Sequence, residues 1–370
     1  MREEDSKNLF SHAQYDSNSA FLSDFQLSLE TIGDLCHQDP RAFGTFLDYV
    51  QHALLSISIL PVRLFLIVLT LVVCDIIIKL ENIFIKDAKK RHKLALGHLH
   101  RTAGFVIGVT GIRVKVVRLD KEEETEKIKA SLPGCLCAVA NHSSYLDPLI
   151  CAYLGLQGFA AKDGVKKIYP IGKFVTIFEG LFIQRRARDG RKQAAIEIDG
   201  RIRGTIRDQF GGPKNLTIFP EGTTTNGTGL FLFKDSVFRA GQPVQPICIK
   251  YSFKKFNPAW ETLDIKYHIW RLLTSFYTEV TVTYLPVYVP SEYEQQNPKF
   301  YANNVRNEIA SVGYYKLLNR TVNEKMILCK WLHVRDHSIE KMLENVEAEH
   351  QNTLAEIKAL NALKEAAPSK

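Results

Sequence analysis

His142 and Asp147 stand five positions apart in Asn141-His142-Ser143-Ser144-Tyr145-Leu146-Asp147, directly after the apolar run Leu136-Cys137-Ala138-Val139-Ala140. A histidine serves as a base when one ring nitrogen keeps its proton and the other is open to accept one. A carboxylate that accepts the retained N–H fixes this choice and stabilises the imidazolium that forms. Five residues crossing a loop into a first helical turn allow that contact. Taken singly, His142 is an ordinary loop histidine bonded to polar neighbours, and Asp147, followed by Pro148, suits a helix start; both roles can coexist with the catalytic one. No Gly-x-Ser-x-Gly elbow is present, and no cysteine shares an electropositive loop with His142. The group to be activated therefore belongs to a substrate.

Two further stretches place polar groups after apolar runs. Arg185 follows Gly180-Leu181-Phe182-Ile183-Gln184 within a basic region, where positions 162–203 hold eleven Lys or Arg against five acids. Such a run is ordinarily a solvated face. At a strand end opening toward the same cleft as His142, Arg185 suits a phosphate, and its neighbours suit steering of anions or contact with a membrane surface. Phe219-Pro220-Glu221-Gly222-Thr223 reads as a strand entering a turn that exposes the Glu221 carboxylate among hydroxyls. A plain turn accounts for it, and so does an acceptor for a glycerol or for arginines.

These residues need a scaffold that gathers them. Strands are expected at 135–140, 180–184, 216–219, 244–251 and 280–288, with a helix at 146–156. Ala195, Ile198, Ile202 and Ile206 recur at helical spacing. The alternation predicts an α/β domain with a mixed, largely parallel sheet flanked by helices, and sites in such sheets form at the carboxyl ends of strands.

Upstream, residues 53–78 are almost continuously apolar, long enough to cross a bilayer, with Pro61 expected to bend them and Arg63 and Asp75 near the ends. A buried core helix is the competing reading. The run is apolar on every face, and Lys79, Lys86, Lys89, Lys90, Arg91 and Lys93 follow it, which favours membrane embedding. A span and a re-entrant bend both fit. A shorter apolar patch, 103–109, suits the membrane interface. The division expected is a polar acidic leader over 1–50, a membrane-embedded helical region over 51–112, a catalytic domain over 113–330 and a helical tail over 331–370.

The 370 residues carry a formal charge of +8, which implies an anionic partner. Nucleic acid is disfavoured, because the basic run lacks a reading module or an aromatic platform. Seven cysteines, an odd number without framework spacing, read as reduced thiols of a cytosol-facing domain. Cys135-x-Cys137 has no second ligand pair, so no metal is expected.

With these residues assembled, the chain resembles the glycerophospholipid acyltransferases, and within them the lysophosphatidylcholine acyltransferase type. The family's His-x4-Asp block is similar to residues 141–147. Its second block, an apolar strand ending in arginine, is similar to Gly180, Phe182 and Arg185. The third matches Phe219, Pro220, Glu221, Gly222 and Thr223, and the fourth, a Pro-containing strand, is similar to Val244-Gln245-Pro246-Ile247. The resemblance extends to about residue 310.

It implies transfer of an acyl group from acyl-CoA, a co-substrate, to the free hydroxyl of a lysophospholipid such as lysophosphatidylcholine or lysophosphatidylethanolamine, with no cofactor. His142 would be the general base and Asp147 its partner. Arg185 and Glu221 would bind the acceptor's head and glycerol, with Gly222 or Thr223 at the oxyanion and Pro246 among the substrate-binding positions. The implied setting is the endoplasmic reticulum membrane with the domain facing the cytosol. Glycerol-3-phosphate or 1-acylglycerol-3-phosphate as acceptor, and a catalytically silent lipid-binding homologue, remain the alternatives. Oligomeric state is not legible.

Overall fold

The computed structural model describes residues 46–183, 188–252, 257–260, 265–322 and 325. The expected leader and C-terminal tail lie outside these residues, except for positions 46–50.

Helix α1 (Phe46–Phe84) is followed by α2 (Ala88–Val109), whose N-terminus is capped by the Asp87 side chain. Then come β1 (Ile112–Arg118), α3 (Glu122–Ser131), β2 (Cys137–Ala140), α4 (Asp147–Tyr153), β3 (Ala160–Lys162), α5 (Ile171–Ile177), β4 (Leu181–Ile183), α6 (Arg188–Ile202) and β5 (Thr217–Ile218). The remainder is β6 (Gly229–Leu230), β7 (Val244–Tyr251), α7 (Ile265–Leu273), β8 (Thr278–Tyr284), α8 (Glu292–Gln296), α9 (Pro298–Gly313) and β9 (Lys316–Leu317).

The main sheet has the order β1-β8-β7-β2-β5. Only the β7–β8 pair is antiparallel, so β2, β5 and β7 run one way and β1 and β8 the other. The mixed, largely parallel sheet expected from the sequence is present. β3 and β4 form a separate parallel pair, joined to the β5 edge by a parallel bridge from Phe159 to Thr217. The carboxyl ends of β2, β4, β5 and β7 thus face one way, toward one rim.

Both faces of the sheet are covered, and the two-residue period of the strands sorts their side chains between two cores. Ala138 and Ala140 of β2 and Ile247 and Ile249 of β7 pack with Leu99, Ile107, Ile150 and Phe174. Cys137, Val139, Val244 and Cys248 point the other way, toward Ile198, Ile202, Tyr301, Val305 and Ile309.

The two apolar stretches read from the sequence take definite forms. The 103–109 patch is the end of α2, where Ala103, Val106 and Ile107 are buried in the domain while Phe105 is 50% exposed. A short apolar run is as consistent with core as with membrane until its packing partners are known. Finally, α1 continues as a helix through Pro61, with no re-entrant break.

At 39 residues α1 is about 58 Å long, and its outward surface exposes Leu54, Ile57, Phe65, Val68, Val72, Ile76 and Phe84. One side is held along the domain. His52 bonds Thr274, Ser56 accepts from Trp270, and Arg63 donates to the carbonyls of Leu273, Ser275 and Phe276. Asp75 accepts from Tyr169 and Lys173, and Glu81 meets His98.

Candidate active site

The site is built at the rim where β2, β5 and β7 end. Asn141, the first residue past β2, is buried and mimics another strand residue. Its Oδ1 accepts the Ile249 N–H at 2.7 Å, and its Nδ2 donates to the Ile249 carbonyl at 3.0 Å and meets the Tyr315 hydroxyl at 3.2 Å. This fixes where the chain leaves the sheet, and so where His142 begins.

His142 is held at backbone and ring. Its N–H donates to Glu221 Oε1 at 2.7 Å, and its carbonyl accepts the Thr225 N–H at 2.8 Å. The imidazole stacks on Phe219, with ring centroids 4.4 Å apart and planes inclined by 21°. Nδ1 lies 2.9 Å from Asp147 Oδ2.

Asp147 is fully buried. Its Oδ2 also accepts the N–H groups of Ser143 and Ser144, at 2.7 and 2.9 Å, and its Oδ1 accepts the Tyr251 hydroxyl at 2.5 Å. A carboxylate surrounded by donors has no role left but acceptor, which places the hydrogen on Nδ1. Nε2 has no hydrogen bond among the described residues, and the side chain remains 17% exposed. An imidazole so oriented can take a proton from a group arriving at the rim.

The helix-start role foreseen for Asp147 takes a different form. It is the first residue of α4, with Pro148 behind it, but its carboxylate serves the preceding loop rather than capping the helix.

Glu221 corrects an expectation. It is 1% exposed, not displayed on a turn: Oε1 takes the His142 N–H and Oε2 takes the Phe231 N–H at 2.9 Å. Burial pushes its carboxyl up to about 8, against the pull of those two N–H groups and the positive charge of Arg306. The carboxylate braces the His142 loop from within and offers no face to a glycerol. Arg306 is itself buried, donates to the carbonyls of Leu230 and Leu318, and is lowered to about 10 by burial.

Gly222 adopts φ +72 and donates its N–H to the Phe219 carbonyl. A Cβ there would come within 2.5 Å of Lys234 Nζ. That N–H is committed to the turn and is unavailable to an oxyanion. Thr223, next along, is half-buried, and among the described residues neither its N–H nor its hydroxyl is bonded.

Pro246 is a buried residue of β7 opposite Val139, one pair before Ala140 and Ile247. It belongs to the sheet interior and does not line the rim. Proline is tolerated there because the ladder to β8 begins only at Ile247.

Gly180 fits where a Cβ would meet Val175 Cγ1 at 2.3 Å, and the Lys166 ammonium lies 5.9 Å from the Phe182 ring centroid. Arg185 lies outside the described residues. The strand before it ends on the His142 side of the sheet.

Sequence reasoning missed Tyr251, Thr225 and Trp260. Tyr251 ends β7, the strand parallel to β2, and the turn of the His142 loop into α4 brings Asp147 against its hydroxyl. The Trp260 N–H donates to the Ser143 carbonyl, and Thr224 Oγ1 donates to the Trp260 carbonyl. Trp260 thereby ties the two motif loops together. Among the described residues no group of His, Cys, Asp and Glu could hold a metal ion.

Residues 120–250 match the Acyltransferase family. The lysophospholipid acyltransferase LPEAT1 of Arabidopsis thaliana is 34% identical over 211 residues, covering 56% of this chain and 52% of the relative. The lysophosphatidylcholine acyltransferase of Drosophila melanogaster is 35% identical over 177 residues, covering 47% and 32%. Human lysophosphatidylcholine acyltransferase 1 is 34% identical over 191 residues, covering 50% and 34%. The chain thus spans about half, or less, of the length of these relatives. Among solved structures, the 1-acyl-sn-glycerophosphate acyltransferase PlsC of Thermotoga maritima superposes with a TM-score of 0.50 at 17% identity. The match covers 70% of this chain and 97% of that one, and it speaks for the fold alone.

Proposed function

We propose that the protein, whose residues 120–250 match the Acyltransferase family and are similar to lysophospholipid acyltransferases, moves an acyl group from acyl-CoA to the free hydroxyl of a lysophospholipid. The observation that carries this reading is the His142 imidazole, held at Nδ1 by Asp147 with Nε2 open at the rim.

In the proposed reaction, Nε2 removes the hydroxyl proton as the oxygen attacks the thioester carbonyl. The C–O bond forms, the tetrahedral intermediate collapses, and the C–S bond breaks. The proton held on Nε2 passes to the departing CoA thiolate, which leaves readily because thiols ionise near pH ~8.5. The products are a diacyl phospholipid and CoA, with no cofactor. Asp147 keeps the ring's orientation and offsets its transient positive charge. We assign the half-buried Thr223 N–H and hydroxyl, unbonded among the described residues, to the oxyanion, and, from the resemblance alone, Arg185 to the acceptor's phosphate.

The long apolar surface of α1 supports membrane association. We place the protein on the endoplasmic reticulum with its catalytic rim in the cytosol, so the Asn-x-Ser/Thr sequons at 141, 215, 226 and 319 are expected to carry no glycan. The full chain, purified in membranes, would be given acyl-CoA with lysophosphatidylcholine, lysophosphatidylethanolamine, 1-acylglycerol-3-phosphate or glycerol-3-phosphate. CoA release with the first two supports the reading. Release only with the phosphate monoesters would replace it with the 1-acylglycerol-3-phosphate or glycerol-3-phosphate activity.

A further inference from the structure

Among the described residues, helix α7 touches both the His142 loop and α1, and its two sides differ in chemistry. Its inner side buries His268, Arg271 and Leu272. His268 Nδ1 lies 3.1 Å from the hydroxyl of Tyr145, a residue of the His142–Asp147 loop, and its Nε2 lies 3.2 Å from the Ala259 carbonyl. Its outer side exposes Ile265 at 40% and Ile269 at 37%, one turn apart, and the turn that follows exposes Phe276 at 49%. Two isoleucines one turn apart, followed by Phe276, make an exposed apolar stripe suited to a non-aqueous neighbour.

The surroundings of this patch say what covers it. α7 is strapped alongside the N-terminal half of α1 by the His52–Thr274, Ser56–Trp270 and Arg63 bonds. The same stretch of α1 exposes Leu54 and Ile57, so these two adjoining helices each carry exposed apolar side chains beside their shared anchors. A basic and an aromatic group adjoin Phe276: the Arg113 guanidinium, registered opposite Glu279, lies 4.3 Å from the Tyr277 ring centroid. Apolar side chains next to basic and aromatic ones suit the headgroup boundary of a leaflet that contains anionic phospholipid.

We propose that α7 and Phe276 are a second bilayer contact, made by the catalytic domain itself, which seats the His142 loop against the leaflet so that a lysophospholipid enters from the membrane plane. This rests on the acyltransferase reading for the substrate, and on the apolar patch for the docking.

The test uses the full chain in phosphatidylcholine/phosphatidylserine vesicles. An environment-sensitive fluorophore is attached in turn at Ile269→Cys, Phe276→Cys, Ile57→Cys as a membrane control and Ser311→Cys as a control on the exposed side of α9, with the unsubstituted chain giving the background from native cysteines. Lipid-borne quenchers are expected to quench the label at 269 and 276 as they do at 57, and to spare 311. An unquenched label at 269 and 276, with 57 quenched, would overturn the proposal. Protection at 269 and 276 that appears in lipid-free detergent and grows with protein concentration would overturn it too, by assigning the patch to a second copy of the chain.

A second arm measures turnover of Ile269→Asp/Phe276→Asp. KM for lysophospholipid presented in vesicles should rise several-fold, while kcat/KM for a short-chain, monomerically dissolved lysophospholipid stays at the unsubstituted value. Equal losses with both presentations would contradict the docking role. Failure of the unsubstituted chain to turn over either substrate would refute the acyltransferase reading, with the quenching result left to decide the docking.

Discussion

Two buried carboxylates grip the same histidine, and they do so differently. Asp147, from the loop after β2, takes four donors, the imidazole N–H, two backbone N–H groups and a tyrosine hydroxyl. Glu221, from the loop after β5, takes two backbone N–H groups and is pushed up to about 8 by burial. Each is enclosed by the same fold, so enclosure alone does not set the role. Asp147 reaches the ring and is supplied with enough donors to remain an acceptor. Glu221 reaches only the backbone, and its task is to hold the loop in place.

Asp147→Asn should separate the two most sharply. An amide cannot accept three N–H donors at one oxygen while also receiving the tyrosine hydroxyl, so the imidazole loses its fixed tautomer. Turnover is expected to fall by ~10²–10⁴-fold, mostly in kcat, as steady-state kinetics at saturating acyl-CoA would show. An effect confined to KM would erase the distinction between the carboxylates.

Glu221→Gln should cost less in kcat and more in stability. Its amide group would oppose one of the two N–H donors, at about 1–3 kcal/mol, read as a lower midpoint in denaturant. The pH dependence adds a signature. Glu221 titrates near 4.5 when unfolded and at about 8 when folded, so the native state holds the extra proton between these values. Stability contributed by the protonated form is full below pH 4.5 and is lost as pH rises through 8. His268, lowered to about 4 by burial, works in the opposite sense below about pH 6.5. The window from 6.5 to 8 therefore isolates Glu221: unsubstituted protein should lose stability across it, and the Gln variant should show a flatter curve.

Tyr251→Phe removes the donor to Asp147 Oδ1 and leaves a buried oxygen unpartnered. The expected loss is about 1–3 kcal/mol in stability with a fall in kcat smaller than for Asp147→Asn. Thr223→Ala sits at the low end: the hydroxyl is unbonded and half-buried, so stability should stay within about 0.5 kcal/mol while kcat falls. Unchanged kcat would remove that hydroxyl from the oxyanion site.

The Asp147 half of this comparison was legible in the sequence because it is local. Five residues after a strand leave few ways for the chain to run, and the expected contact forms. The Glu221 half was not: a Glu-Gly-Thr turn looks like surface, and only the packing of β6 and α9 over it makes it interior. Tyr251 was hidden for another reason. It lies 104 residues from Asp147, and the two meet through the pairing of β2 with β7 together with the course of the loop that follows β2. Strand positions for β2, β5 and β7 were clear from their apolar runs, whereas the patch at the end of α2 carried no sign of whether protein or lipid would cover it. Arg185 lies outside the described residues, so its part rests on the resemblance and on the direction of β4.

The most direct measurement of the central claim is acyl-CoA-dependent CoA release by His142→Ala, in membranes, with lysophospholipid as acceptor and the melting transition as a folding control. With Nε2 gone, the variant should melt as the unsubstituted protein does and release CoA only at the background hydrolysis rate. A folded variant that turns over at the unsubstituted rate would contradict the assignment of His142 as the base.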